Sequence, residues 1–499
     1  MNKNGQPGGD PGFGRLRQML WPIHGYELKK FLPMLLMFFF ISLVYSLLRN
    51  TKDSLIVTAP GAGADLIPFL KVYGVIPLSV LYMLAYAKLS NALGKQRLFY
   101  AALAPFLLFF ISFAFLFPLR EAIQPHWQAR LPPGLAHLAA MARHWLLCLF
   151  YVMAELWGSV ALSLLFWTFA NDIVKVEEST RFYALFGIGA NLALVSVKFV
   201  NHAIHLLERH LVSRWTVTGW SAYVILLMGV VALCIASILL IYRWINLEVL
   251  TDPRFFSMAE QEANHAARPR MSLREAFRFL MRSRYLLWIA ILVISYGIAL
   301  NLIEVTWKTH LGLLHPDPKA YQDFMANFSF ATGAVTLFLM LFVANNVIRV
   351  WGWTAAALAA PLVLLLTGTG FFGFILCEDA SAPWLARFDT TPLAAAVLFG
   401  TIQNVLSKAT KYSLFDPTKE MAYIPLDPES KVKGKAAIDV VGARLGKAGG
   451  SLIQQLLIGI FHSLRAVPGL IAVILLVVIS GWIWAATRLG RAFAQLSRP

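Results

Sequence analysis

Long apolar runs separated by short polar segments dominate this chain. A bilayer core requires about 20 mostly apolar residues per helix, and a window of that width finds such runs along the whole sequence. The predicted membrane spans are 31–49, 66–87, 98–118, 145–170, 182–206, 221–242, 285–307, 322–344, 354–376, 390–407, 440–463 and 467–487. The pattern therefore predicts an all-α, polytopic membrane protein with about twelve transmembrane helices.

The longest polar break divides the predicted spans into two groups of six. This break is rich in arginine, and transporters built from two parallel halves around a central site have the same layout. The predicted organisation is a cytoplasmic N-terminal segment (1–30), a six-helix half (31–242), a basic cytoplasmic linker (243–284), a second six-helix half (285–487) and a cytoplasmic tail (488–499). The first apolar run lacks a small-residue cleavage site, so we expect it to remain in the mature protein.

The composition excludes a disordered protein and a multidomain cytosolic enzyme. Hydrophobic residues make up 58% of the 499 residues and charged residues 14%, against about 25% charged residues in soluble proteins. The three cysteines offer neither a disulfide framework nor a metal-ligand spacing. The sequence contains no GxxxxGK[ST], GxSxG or HExxH motif. We therefore expect no enzymatic activity, no metal and no cofactor.

The net charge of +17 is explained largely by membrane topology. With the N-terminus inside, 28 of the 43 Lys and Arg residues fall in the predicted inside segments and 11 on the opposite side. Cytoplasmic loops carry such an excess of cations, which also attracts anionic lipid. Both termini are therefore predicted to be cytoplasmic, and the charge requires no nucleic-acid partner.

A few charged residues fall inside the predicted spans or at their ends. A charge at mid-bilayer costs at least about 2.5–3.5 kcal/mol, so such residues face a cavity or a partner. The informative residues are Lys52, Asp53, Lys71, Glu155, Glu304, Lys308, Arg444 and Lys447. Arg444 and Lys447 share one helix face. Pairing with Glu155 or Glu304 for stability alone is the competing interpretation, and Lys71 and Lys198 are expected to snorkel or pair locally.

A cavity that contains several cations and two carboxylates suits a polyanionic organic substrate. Lys and Arg neutralise phosphates, and Arg adds forked hydrogen bonding. The carboxylates have three alternative roles: accepting hydrogen bonds from a sugar or base, pairing with the cations in the empty site, or carrying a proton. Tyr45, Phe166 and Trp167 are candidates for stacking on a base, although ordinary packing is the stronger explanation for each.

Four stretches resemble one transporter family. They are LRNTKDSLIVTAPGAGADLIPFLKVYGVIPLSVLYMLAYAKLSNALGKQRLFY, FWTFANDIVKVEESTRFYALFGIGANLALVSVK, NLIEVTWKTHL and QNVLSKATKYSLFDPTKEMAYIPLDPESKVKGKAAIDVVGARLGKAGGSLIQQ. The sequence is similar to the ATP/ADP translocases, the nucleotide transporters of plastids and obligate intracellular bacteria. The similarity spans 20–490, with Asp65 where the family has Glu and a longer, more basic second loop.

The resemblance implies a major-facilitator-like fold with alternating access and ATP and ADP as transported substrates. It also implies that Lys52, Glu155, Glu304 and Lys447 form the substrate-binding and translocation site. Further candidates for lining the cavity are Arg49, Asn191, Asn301, Lys308 and Arg444. We expect a functional monomer in the bacterial inner membrane.

Three functional hypotheses follow. The first is an antiporter that imports ATP in exchange for ADP. The second is a proton-coupled nucleotide importer, or a carrier of other nucleotides or NAD, in which Glu155 or Glu304 carries the proton. The third is a non-transporting membrane scaffold, which has no need for the charges within the spans.

Overall fold

The computed structural model describes residues 21, 23–125, 136–211, 219–252, 283–427, 430, 434–435, 437–438 and 442–496. The described residues form helices and connecting turns, without a β-strand. Twelve of these helices are long. In chain order they are α1 (Leu28–Val57), α2 (Leu66–Ala92), α3 (Lys95–Leu116), α4 (Trp145–Ile173), α5 (Val176–Leu211), α6 (Gly219–Glu248), α7 (Arg284–Leu314), α8 (Pro318–Val343), α9 (Asn346–Leu376), α10 (Pro392–Thr410), α11 (Ala443–Phe461) and α12 (Pro468–Leu496).

Each long helix overlaps one of the predicted spans. Within the described part of the chain, ten helices are long and apolar enough to cross a membrane. The other two, α10 and α11, have 19 residues each. Several helices start earlier or end later than their predicted spans; α1, for example, extends to Val57 instead of residue 49. Charged residues 49, 52 and 53 thus continue a regular helix, because neighbouring helices satisfy them.

The predicted linker and termini fall largely outside the described residues. Helix α6 ends at Glu248 and α7 begins at Arg284, and residues 253–282 between them are not described. The described helices form two groups of six in chain order, α1–α6 and α7–α12, here called the N-half and the C-half. The domain boundaries that we derive from the sequence remain predictions.

The two halves pack along α5 and α8, where a glycine allows a close approach. A Cβ atom on Gly333 would lie 2.7 Å from the backbone oxygen of Asn191 and 2.9 Å from Cβ of Leu194. Small residues at such crossings bring helix backbones together in membranes. Gly333 therefore fixes how closely the C-half approaches the N-half.

Hydrogen bonds between α1 and α8 join the halves where α1 ends. The Ser54 hydroxyl donates to the Pro318 carbonyl oxygen at 2.9 Å. One turn earlier, Asn50 Nδ2 donates to the Met325 carbonyl oxygen at 3.0 Å. Backbone carbonyl oxygens in the first turns of α8 thus accept hydrogen bonds from side chains of the N-half. We call this end of the bundle, where α1 ends and α8 begins, the closed end.

Two further seams join the halves at the closed end. Between α2 and α11, Gln455 Nε2 donates to the Pro68 carbonyl oxygen at 2.9 Å, and Ser463 Oγ donates to Asp65 Oδ2 at 2.8 Å. Between α5 and α8, Lys319 Nζ lies 2.6 Å from Glu208 Oε1. The carboxyl groups of Asp65 and Glu208 are therefore part of the contact between halves.

The opposite end has a different pattern of ion pairs. Among the described residues there, ion pairs join side chains of the same half. They include Glu27 with Arg181, Lys30 with Glu178, Lys95 with Asp172, Lys411 with Asp416, and Glu420 with Lys435. These contacts stabilise each half separately, whereas the contacts at the closed end connect the two halves.

Candidate functional site

Helix α1 carries three charged side chains near its end, of which Arg49 and Asp53 contact the C-half. Arg49, Lys52 and Asp53 are spaced by three and one residues, so they share one face of the helix. Lys52 and Asp53 are buried, with exposed fractions of 3% and 0%. The next residue, Ser54, already belongs to the α1–α8 seam. This charged face therefore lies directly beside the contacts of the closed end.

Helix α7 presents the matching face from the C-half. Asn301, Glu304 and Lys308 are spaced by three and four residues, which places them on one side of a helix. Asn301 and Lys308 are buried. Lys308 Nζ lies 3.2 Å from Glu304 Oε1, one turn earlier on the same helix.

Glu304 is the acceptor on which cations from both halves converge. Arg49 Nη2 lies 3.0 Å from its Oε1, Lys308 Nζ 3.2 Å and Lys408 Nζ 3.5 Å. One carboxylate oxygen thus faces three cationic groups, from α1, α7 and α10. An anion with more charge and more oxygens than one carboxylate would satisfy these cations better.

Asp53 and Glu155 supply the other carboxylates. Lys52 Nζ lies 2.8 Å from Asp53 Oδ1 and 3.0 Å from Glu155 Oε1. Lys308 Nζ lies 2.8 Å from Asp53 Oδ2. The Lys52 ammonium also lies 4.0 Å from the ring centroid of Tyr151, a cation–π contact. The Glu155 side chain keeps 30% of its surface exposed, the largest fraction among the carboxylates of this network.

The position of Glu155 follows from how α4 is fastened to α1. The Trp157 indole N–H donates to the Ile41 carbonyl oxygen at 3.1 Å. Just after Glu155, a π-helical segment runs over Gly158–Phe166. A Cβ atom on Gly158 would lie 2.6 Å from the Tyr45 ring. Such π-helical turns are frequent at functional sites, and here one leaves space for Tyr45 beside the charges.

A polar arm extends the network to α2 and α11. Lys71 Nζ donates to Asn301 Oδ1 at 2.6 Å, and Asn301 Nδ2 donates to Ser451 Oγ at 2.7 Å. A Cβ atom on Gly450 would lie 2.9 Å from Cβ of Asn301. Because Gly446 similarly packs against the backbone of α7, α11 approaches α7 through small residues.

Lys408 reaches the site because α10 is packed on α7. The Trp307 indole N–H is shared between the Val397 carbonyl oxygen at 3.3 Å and Thr401 Oγ1 at 3.2 Å. Gly400 leaves room for the Trp307 ring. Lys408 follows Thr401 by seven residues, two helical turns, and so projects from the same side of α10. Its ammonium also lies 4.7 Å from the Phe328 ring centroid.

The network has more cations than carboxylates. We call it the central cluster; its members are Arg49, Lys52, Asp53, Lys71, Glu155, Asn301, Glu304, Lys308 and Lys408. Among the side chains that the structure describes here, five cations face three carboxylates, a formal surplus of two positive charges. Removing one partner of a buried pair costs about 3–5 kcal/mol. The surplus is therefore a costly feature for a purely structural network, and it suits a polyanion.

Six of the nine residues predicted from the sequence meet in the central cluster. They are Arg49, Lys52, Glu155, Asn301, Glu304 and Lys308. Asn191 does not join them: its Nδ2 donates to the Gly187 carbonyl oxygen at 2.9 Å and faces the sulfur of Met340. The side chains of Arg444 and Lys447 lie outside the described residues, although their backbone belongs to α11.

Two lysines of the cluster were not predicted to belong to the site. Lys71 was expected to snorkel or pair locally, and this expectation was wrong, because it contacts Asn301 of the other half. Lys408 lies at the end of a predicted span, where a cation is ordinary. The sequence alone does not show that Trp307 contacts Thr401 on α10, and this contact is what turns Lys408 toward the site. Lys198, in contrast, is exposed beside Phe330, as expected for a snorkelling lysine.

Two of the three aromatic candidates for base stacking lie in the packed core. Phe166 is fully buried and its ring centroid is 4.2 Å from that of Phe38. Trp167 makes an edge contact with Tyr183 at 5.1 Å. Ordinary packing accounts for both. Tyr45 remains half-buried between Gly158 and the central cluster.

The arrangement of two six-helix halves, with charged residues between them, resembles the fold of solved membrane transporters. Solved structures support this fold. A bacterial homolog of the human lysosomal transporter Spinster, in an inward-facing and unoccupied conformation, has a TM-score of 0.52 at 12% identity, covering 94% of this chain and 99% of that one. A D-xylose–proton symporter has a TM-score of 0.51 at 14% identity, covering 93% and 97%.

The chain belongs to the TLC ATP/ADP transporter family, whose sequence model matches residues 8–493. It is 53% identical to ADP,ATP carrier protein 1 of Chlamydia pneumoniae, over 97% of this chain and 95% of that protein. It is 45% identical to the chloroplastic ADP,ATP carrier protein 1 of Arabidopsis thaliana, over 94% and 74%. It is 42% identical to ADP,ATP carrier protein 1 of Rickettsia bellii, over 96% of each chain.

Proposed function

We propose that this transporter imports ATP in exchange for ADP and that the central cluster holds the phosphates. The observation that carries the proposal is the convergence of Arg49, Lys308 and Lys408 on Glu304 Oε1, at 3.0–3.5 Å, between the two halves. Membership of the family and the names of the relatives support the same substrates.

Each part of the cluster then has a role. Arg49, Lys52, Lys308 and Lys408 bind the phosphate oxygens, with Arg49 as the forked donor. Lys447 and Arg444, on α11, add positive charge from the C-half. Glu304 and Glu155 hold these cations while the site is empty and release them to the nucleotide. Lys71 and Asn301 supply polar contacts at the edge of the site.

The orientation that we propose places both termini in the cytoplasm of a bacterial cell, with the protein in the inner membrane. The excess of cations in the predicted inside loops supports it. The closed end then faces away from the cytoplasm. We further propose a functional monomer with the halves at 31–242 and 285–487.

Transport in proteoliposomes tests this function. The purified protein is reconstituted in vesicles loaded with ADP, and uptake of labelled ATP is measured with ADP, AMP, GTP or NAD as external competitors. We expect uptake only into ADP- or ATP-loaded vesicles and competition chiefly by ADP. Uptake into empty vesicles that follows an imposed proton gradient would instead establish proton-coupled import, and strong competition by NAD would establish a broader carrier.

A further inference from the structure

Asp53 connects a lysine of each half. Its side chain has no exposed surface. Lys52 of α1 lies 2.8 Å from one carboxylate oxygen and Lys308 of α7 lies 2.8 Å from the other. Both lysines are themselves buried. Asp53 is therefore shared between the halves, whereas Glu155 pairs with Lys52 from within the N-half.

The Asp53–Lys308 pair adjoins the contacts that close one end of the bundle. The neighbouring Ser54 hydroxyl donates to the Pro318 carbonyl oxygen of the C-half. One turn beyond Lys308, a Cβ atom on Gly312 would lie 2.5 Å from Cγ1 of Val57. Helices α1 and α7 thus touch on the side of the pair that faces the closed end. Opening that end requires α1 and α7 to separate here.

We propose that Asp53 is a positioning residue whose bond to Lys308 locks the empty transporter and makes transport an obligatory exchange. This inference rests on the proposed nucleotide exchange. Separating α1 from α7 removes Asp53 from Lys308, which then keeps only Glu304 of its two carboxylate partners, and it also breaks the ion pair between Arg49 and Glu304. Breaking buried ion pairs in this way is strongly unfavourable. A nucleotide phosphate bound at Lys308 replaces Asp53 as the anion, so the loaded transporter can open and the empty one cannot.

The geometry specifies which substitution tests the lock. In Lys308→Gln, Asp53 keeps Lys52 as its partner, and Glu304 keeps Arg49 and Lys408. No carboxylate of the cluster is left alone. The neutral double variant Asp53→Asn with Lys308→Gln removes both charges of the lock. A matched control is Lys411→Gln with Asp416→Asn, which removes an ion pair of 2.7 Å inside the C-half.

The experiment compares two fluxes from proteoliposomes loaded with saturating labelled ADP. Exchange is efflux into medium containing ATP, and leak is efflux into nucleotide-free medium. Size-exclusion chromatography and circular dichroism identify the variants that fold. We expect the wild type and the control pair to show exchange with little leak. The leak itself, measured as efflux into nucleotide-free medium, should rise by about tenfold or more over the wild-type leak in Lys308→Gln and in the double variant, whatever happens to exchange.

Each outcome decides the inference separately from the proposed function. The inference would be overturned if every folded lock variant still exchanged nucleotide and its leak stayed at the wild-type level. That result would show that Asp53 has no part in preventing leak. Should one lock variant fail to fold, the other decides. A wild type without exchange would instead refute the proposed function itself, because the lock has meaning only in an exchanger.

Discussion

Arg49 Nη2 on α1 lies 3.0 Å from Glu304 Oε1 on α7, and this ion pair joins the two halves of the transporter. Glu304 also forms ion pairs with Lys308 and Lys408. In the empty site, one carboxylate thus takes the place that we assign to the phosphates. Binding of nucleotide is then an exchange of anions among fixed cations, and it avoids exposing those cations without a partner.

Glu304→Gln should destabilise the empty protein and make its stability more dependent on nucleotide. Removing the carboxylate takes the shared anion away from Arg49 and Lys408 and leaves Lys308 with Asp53 alone, at a cost of about 3–5 kcal/mol. Thermal unfolding in detergent, with and without ADP, measures both effects. We expect a lower melting temperature without ADP and a larger stabilisation by ADP than in the wild type.

The matched control for this prediction is Glu420→Gln. Glu420 pairs with Lys435 at 2.6 Å, but both side chains are nearly half exposed, and such pairs contribute about 0–1 kcal/mol. Its melting temperature should stay close to that of the wild type. Equal stabilisation by ADP in Glu304→Gln and in the wild type would contradict the role of Glu304 as the anion of the empty site.

Lys408→Gln should weaken nucleotide binding, because it removes a buried cation 3.5 Å from Glu304. A contact charge pair is worth roughly 4 kcal/mol before desolvation is counted, so an increase in KM of about tenfold or more is expected. Lys411→Gln is the control, since Lys411 pairs with Asp416. If the two variants raised KM for ATP equally, Lys408 would lose its place in the phosphate site.

Gly450→Ala should impair transport because the added methyl group displaces Asn301. The added Cβ would lie 2.9 Å from Cβ of Asn301, and Asn301 must shift away from Lys71. On the same helix, a Cβ on Gly459 would meet nothing within 4 Å, so Gly459→Ala is the control. Initial rates of exchange and melting temperatures should fall in the first variant only. Unchanged rates in Gly450→Ala would show that the Lys71–Asn301 contact is dispensable.

Much of the fold and part of the site follow from local features of the sequence. Runs of about 20 apolar residues specify the helices regardless of tertiary context. Charges such as Lys52 and Glu304 are recognisable because lipid makes them expensive. The same cost singles out Lys447, and the family resemblance assigns it to the site, but its side chain lies outside the described residues. These signals depend on one residue and its immediate surroundings.

The remaining features depend on contacts between distant segments. Lys71 resembles a snorkelling lysine until α7 places Asn301 at 2.6 Å. Lys408 requires Trp307 to fix the rotation of α10. Asn191 shows the converse: a polar residue in a span suggested a cavity, but its amide bonds to its own helix at the Gly187 carbonyl oxygen. A helical polar residue can thus be satisfied locally.

A disulfide across the closed end should stop exchange and leave nucleotide binding intact. Ser463 Oγ and Asp65 Oδ2 are 2.8 Å apart and belong to different halves. Cysteines at both positions, with Cys148, Cys234 and Cys377 replaced, provide the crosslink. Oxidation should abolish exchange, and reduction should restore it. Each single-cysteine variant should be insensitive to oxidant. Full exchange by the crosslinked protein would contradict alternating opening at this end.

The most direct test of the central claim is a structure of the protein with ADP bound, determined by cryo-electron microscopy. We predict phosphate density within hydrogen-bond distance of Lys52, Lys308 and Lys408, with Glu304 withdrawn from at least one of its cations. Phosphates bound outside the central cluster, with the Glu304 and Asp53 ion pairs unchanged, would contradict the account.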